Sequence, residues 1–64
     1  MKKEFEAMVA ELEKLTSKMD VPEFRRRNAA WLSRNMAARN ANHPNYPRAR
    51  EIVVTLISNG ITAA

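Results

Sequence analysis

The chain has 64 residues and a net charge of +4. It has no cysteine, which excludes disulfides and thiolate metal sites. A chain of this length forms one small domain, residues 1–64, whose stability must come from well-packed helices or self-association. The chain also has no long apolar segment and no secretory signal at its start. We therefore expect a soluble, cytoplasmic protein that does not enter a membrane.

The first predicted helix covers about residues 3–18. Its apolar side chains recur every three or four residues, so they form one narrow stripe. The stripe contains Phe5, Met8, Leu12, Leu15 and Met19. In one interpretation the stripe closes on the other helices of a monomeric bundle. In the other, helix one projects and two chains pair through the stripe as a homodimer. The sequence leaves both open.

The second predicted helix covers about residues 22–41. Either Pro22 occupies its first position, or Asp20 caps it and Glu23 completes a capping box. A helical wheel places an apolar arc along this segment, made of Phe24, Ala29, Trp31, Leu32, Met36 and Ala38. Trp31, the only tryptophan, is interpreted as an anchor of the core rather than a stacking platform.

Two asparagines, Asn28 and Asn35, flank Trp31 on the same arc. A polar group there must find a partner or cost about 1–3 kcal/mol. The structural interpretation is that both bond to backbone, either of the loop at His43–Tyr46 or of the end of helix one. The functional interpretation is a buried asparagine layer that fixes the register of a dimer.

The third predicted helix covers about residues 47–59 and begins at Pro47, after a loop with two further turn-forming asparagines. Its apolar stripe contains Ala49, Ile52, Val53, Leu56 and Ile57. Asn59 and Gly60 predict a left-handed cap, with Ile61 folding back on the last turn and residues 62–64 frayed. The complete pattern predicts an all-α, three-helix domain.

No catalytic constellation can be assembled from the sequence. His43 is the only histidine and lies beside Pro44 in a loop, so we interpret it as a structural loop residue. Gly60 is the only glycine, which excludes a glycine-rich phosphate loop. We therefore expect a non-enzymatic protein without cofactor or metal.

The charges are segregated along the chain. Residues 1–20 carry four lysines and five acidic residues, a net charge of −1, whereas residues 21–64 carry seven arginines and two glutamates, a net charge of +5. Arginine binds phosphate and carboxylate in a bidentate manner and stacks on planar groups. Segregated arginines next to alanines indicate a binding surface on helix two.

Three hypotheses follow for this surface. In the first, a small regulatory protein binds nucleic-acid phosphates through Arg26, Arg27, Arg34, Arg39 and Arg48. In the second, the same arginines dock an acidic protein surface, as an inhibitor or adaptor would. In the third, they form only a solvated face that pairs partly with the glutamates of helix one. We place nucleic acid first.

Overall fold

The computed structural model describes all 64 residues and confirms the all-α, three-helix domain. The helices are α1 (Lys3–Thr16), α2 (Ala29–Asn40) and α3 (Tyr46–Ser58), with a 3₁₀ turn at Glu23–Arg25 before α2. Both α1 and α2 pack on α3, in a molecule of 30 × 20 × 19 Å. The hydrophobic side chains of all three helices meet in one core cluster.

The helix α1 contributes a narrow stripe to this core, as its apolar spacing predicts. Val9 and Leu12 are completely buried, and Met19 is buried just beyond the helix. The helix ends at Thr16, two residues earlier than expected. The buried Thr16 hydroxyl donates to the Leu12 carbonyl at 2.8 Å, so this polar side chain enters the core with its hydrogen bond made inside its own helix.

The helix α2 begins at Ala29, seven residues later than the predicted start at Pro22. Asn28 is its N-cap: the backbone is extended there, and the side-chain oxygen accepts from the Trp31 amide at 3.0 Å. Asparagine favours a cap over a helix interior because its side chain competes for backbone groups. Asp20 therefore does not cap α2, and Pro22 does not occupy its first position.

The end of α2 is fixed by Asn40, which is only 3% exposed. Its Oδ1 accepts from the Asp20 amide at 2.8 Å, and its Nδ2 donates to the carbonyls of Asp20 and Met36, both at 3.0 Å. One side chain thus joins the segment after α1 to the last turn of α2. It also supplies hydrogen-bond partners for the amide and the carbonyl of Asp20, which lies outside any helix.

The helix α3 is central and ends as the sequence predicts. Gly60 has a φ of +78°, its amide donates to Ile57, and the Ile61 amide donates to Leu56. This pair of hydrogen bonds defines a Schellman cap, and Ile61 packs against the core as expected. Ile57, predicted to be buried, lies at the exposed edge of the helix.

Replacing Gly60 with alanine is expected to lower the free energy of unfolding by about 1 kcal/mol, because a side chain disfavours positive φ. No atom lies within 4 Å of the added Cβ, so the cost is purely conformational. Urea denaturation measures the effect, with Ser58→Ala on the exposed side of α3 as a control that should not destabilise. Equal stability of Gly60→Ala and the wild type would contradict this cap.

The last residues are ordered by the start of α2 rather than frayed. The Ala30 amide donates to the Thr62 carbonyl at 2.8 Å, and the Ala64 amide donates to the Arg27 carbonyl at 3.1 Å. The first amides of a helix have no partner within the helix, and Thr62 supplies one for Ala30. Residues 61–64 therefore hold the segment before α2 in place.

Candidate functional site

The five predicted binding arginines, of which Arg26, Arg27 and Arg34 were expected on one face of helix two, lie on different parts of the fold. Arg26 and Arg27 precede α2, Arg34 and Arg39 lie on α2, and Arg48 lies on α3. A helical wheel describes only residues within one helix. Because α2 begins after Arg27, the predicted arginines do not share one continuous helical face.

Arg48 is held by two carboxylates. Glu11 accepts from its Nε at 2.8 Å and from its Nη2 at 2.9 Å, and Glu51 accepts from its Nη1 at 2.6 Å. The hydrogen bonds from Arg48 lower the pKa of Glu11, and the bond to Glu11 raises the pKa of Arg48. These charge-assisted pairs use three of the five N–H donors of the guanidinium, one on each nitrogen. Arg48 therefore joins α1 to α3, and an anion would have to compete with two carboxylates for it.

Arg27 and Arg39 form looser ion pairs. Arg27 Nη1 lies 3.3 Å from the Glu13 carboxylate, and Arg39 Nη1 lies 3.5 Å from the Asp20 carboxylate. All four side chains are about half exposed or more. Exposed pairs of this kind contribute about 0–1 kcal/mol, so an incoming phosphate can replace either carboxylate at small cost.

Arg34 is the one exposed arginine of the predicted five that forms no ion pair. It is exposed on α2, and no carboxylate pairs with it. Arg26 is partly buried, and its Nε is buried without a hydrogen-bond partner. A free guanidinium on a helix surface is ready for a bidentate anion, so Arg34 is the clearest candidate among them.

Arg25, which is not one of the five predicted arginines, lies over two aromatic side chains, Phe24 and Trp31. The guanidinium carbon of Arg25 lies 4.8 Å from the centre of the Phe24 ring and 5.5 Å from that of the Trp31 ring. Arg34 follows Trp31 by three residues, so the two lie on the same face of α2. We call these four residues, Phe24, Arg25, Trp31 and Arg34, the aromatic–arginine patch.

The exposure of Phe24 is a correction to its predicted place in the core: the side chain is 77% exposed. The 3₁₀ turn replaces the expected helix there, so Phe24 does not join the apolar arc of α2. The sequence carries a signal for this, since the residues three and four positions later are Arg27 and Asn28, not apolar. Trp31 is partly buried and packs against the core, as expected of an anchor.

A groove of about 420 Å³ opens beside the patch, between α2 and the segment that precedes the 3₁₀ turn. Trp31, Pro22 and Ala38 supply apolar walls, and charged and amide groups supply the rest. Its lining residues are Asp20, Pro22, Trp31, Asn35, Ala38 and Arg39. The groove thus combines an aromatic ring, hydrogen-bonding groups and a guanidinium within one concave surface.

The asparagines flanking Trp31 have separate roles. Asn28 caps α2, whereas Asn35 is exposed, with its Nδ2 donating to the Trp31 carbonyl at 2.9 Å. Neither forms a buried asparagine layer. Other asparagines make the expected long-range bonds to backbone: Asn40 bonds to Asp20 in the loop after α1, and the Asn45 Nδ2 donates to the carbonyl of Leu15 near the end of α1 at 3.2 Å.

The stripe of α1 is occupied by the core of its own chain. Leu12 and Met19 are buried, whereas Phe5, Met8 and Leu15 are partly buried against the same cluster. The three stripes therefore close on one another, which is the arrangement that we expect of a monomeric bundle. Pairing of two chains through all five residues would require this core to open.

The remaining chemistry-bearing groups form no cluster. Nδ1 of His43 accepts from the Asn45 amide at 3.0 Å, which places this histidine in a turn between α2 and α3. No group of three or more histidine, cysteine or acidic side chains is arranged to hold a metal ion. The groove and the most exposed of the large hydrophobic side chains, Phe24, therefore lie on the same part of the surface.

The fold and this surface define the class: a three-helix domain with an exposed aromatic–arginine patch beside a polar groove. Comparison of the chain with protein-family models, curated proteins and solved structures finds no match. None of its helices combines the length and the apolar character needed to cross a membrane.

Proposed function

We propose that this chain is a non-enzymatic, regulatory binding protein of the cytoplasm, and that it binds nucleic acid through the aromatic–arginine patch. One observation carries the proposal: guanidinium groups that form no ion pair lie on the same surface as aromatic rings. Arg25 lies over the exposed Phe24 and the partly buried Trp31, and Arg34 forms no ion pair. Nucleic acids offer both complementary groups, anionic phosphates and flat bases.

The charge balance supports the same ligand. The chain has a net charge of +4, and two of its carboxylates, Glu11 and Glu51, pair with Arg48 on another part of the surface. Around the groove, Arg39 pairs only loosely with Asp20. Phosphates therefore meet arginines that are free or weakly paired, and binding releases counterions from the nucleic acid.

The expected result is binding that weakens steeply with salt. Fluorescence anisotropy at increasing salt, with a labelled mixed-sequence single strand and its duplex, measures the slope of log affinity against log salt. Arg34→Gln is expected to reduce this slope by about 0.7 to 0.9, the contribution of one phosphate contact. Arg48→Gln is the matched control. It also removes one positive charge, but from a side chain that already pairs with two carboxylates.

Two outcomes would overturn the proposal. One is the failure of both nucleic-acid forms to bind at low salt. The other is an equal change in slope for Arg34→Gln and Arg48→Gln. That result would mean that nucleic acid responds to the overall positive charge and not to the patch. Thermal unfolding of both variants establishes that they remain folded.

An acidic protein surface is the second candidate partner, favoured by the same side chains. Tryptophan and arginine are enriched among the residues that dominate protein interfaces, and the exposed Phe24 supplies an apolar anchor. If nucleic acid fails to bind, capture of an acidic partner that Arg34→Gln abolishes and Arg48→Gln preserves would support this function. Equal capture by wild type and Arg34→Gln would remove it.

A further inference from the structure

We infer that the ligand of the patch is single-stranded, and that an unpaired base stacks on the free face of the Phe24 ring. This inference rests on the proposed nucleic-acid binding and specifies its form. A phosphate-binding surface alone would accept single strands and duplexes. Phe24 is the side chain that would distinguish single strands from duplexes. An aromatic ring stacks best on a base that is neither paired nor already stacked.

The Phe24 ring contributes little to folding in its observed position. It is 77% exposed, although the chain contains only four aromatic residues and a small core that would gain from burying one. Arg25 contacts the ring from one face at 4.8 Å, so the large exposed fraction includes the opposite face. That face is open to a second planar group.

The backbone holds this ring in a defined place. The Arg25 amide donates to Pro22 at 2.9 Å, the Arg26 amide to Glu23 at 3.3 Å, and the Asn28 amide to Arg25 at 3.0 Å. Consecutive turns of this kind leave the segment few alternatives, and Pro22 fixes its own φ. A ring carried by an ordered turn loses less backbone entropy on binding than one on a mobile loop.

Arg25 places a cationic group directly beside the Phe24 ring. A guanidinium over an aromatic face is attracted by the ring, and its donors stay directed outward along the plane. Lying over both Phe24 and Trp31, it joins the exposed ring to the edge of the groove. A base on Phe24 therefore has a phosphate-binding group beside it, which is the combination used for single strands.

The groove extends the same mode of binding to a neighbouring nucleotide. Trp31 supplies a second aromatic surface, Arg39 a cation for the phosphate, and Asn35 an Oδ1 atom that accepts no hydrogen bond within the protein. The Asp20 carboxylate adds acceptors for amino groups of a base. Base edges are accessible to such groups when they are unpaired.

The test compares a labelled single strand of mixed sequence with its duplex, by anisotropy under identical low-salt conditions. The single strand is expected to bind more tightly. Phe24→Leu keeps an apolar side chain but removes the ring, and we expect it to weaken single-strand binding about 5- to 100-fold. Phe24→Trp is expected to preserve it. Val54→Ala, at an exposed apolar position on α3, is the control and should change nothing.

Quenching of Trp31, the only tryptophan, gives a second readout that needs no label, and it should saturate with the single strand. Tighter binding of the duplex, or an equal effect of Phe24→Leu and Val54→Ala, would overturn the inference and leave the proposed function standing. Failure of both forms to bind would overturn both. Because Phe24 is largely exposed, Phe24→Leu should unfold at the wild-type temperature, which thermal denaturation verifies.

Discussion

Asn40→Ala is expected to lower the free energy of unfolding by about 2–3 kcal/mol, a large fraction of the stability of so small a domain. The substitution removes the partners of the Asp20 amide and carbonyl, which Asn40 bonds at 2.8 and 3.0 Å. It also leaves a small void in a site that is 3% exposed. A backbone donor and acceptor left without partners account for most of the loss.

Urea denaturation followed by circular dichroism measures this loss. Asn35→Ala is the matched control on the same helix, because it removes one exposed hydrogen bond and should cost well under 1 kcal/mol. Asn40→Asp provides a second comparison: it keeps an acceptor for the Asp20 amide but loses both donated bonds. If Asn40→Ala is no less stable than Asn35→Ala, the connection between the end of α2 and Asp20 does not exist in solution.

Leu12→Glu is expected to unfold the protein. Leu12 is 0% exposed in the core, and loss of its side chain alone costs about 2–5 kcal/mol. A glutamate there adds the cost of burying an unpaired charge. Ala10→Glu, at an exposed position on the same helix, is the control and is expected to change stability by less than about 0.5 kcal/mol.

The same variant separates a core residue from a dimer contact. Circular dichroism reports whether α1 is still helical, and sedimentation reports the number of chains in the particle. Loss of helicity in Leu12→Glu is the result that the monomeric core predicts. A folded monomeric variant of a dimeric wild type would contradict it, and would assign the α1 stripe to pairing between two chains.

The class of fold could be predicted because local signals and burial agree along most of the chain. The α1 stripe runs at helical spacing from Phe5 to Met19, and the α3 stripe runs from Ala49 to Leu56. In both helices the apolar stripe faces the core. The end of α3 was also predictable, since Gly60 adopts the left-handed conformation that few other residues accept.

The site was less predictable, because arginine carries no signal of which partner it will find. Arg48 lies 37 positions from Glu11 in the sequence, yet their side chains form two hydrogen bonds. Arg25 was not among the predicted binding residues, because its stacking depends on where Phe24 and Trp31 point. Both arrangements come from the packing of helices and turns, not from local spacing.

The sequence by itself determined three helices, most of the buried stripes of α1 and α3, and the concentration of arginine after residue 20. Helical periodicity and the conformational preference of glycine depend on a few consecutive residues. They can therefore be recognised in the sequence without knowing which elements pack together. Only the tertiary structure decided which arginines are neutralised and which remain free. It also decided that Phe24 is exposed. Ion pairing and exposure depend on distances between elements, which are fixed when α1 and α2 pack on α3 and Asn40 bonds to Asp20.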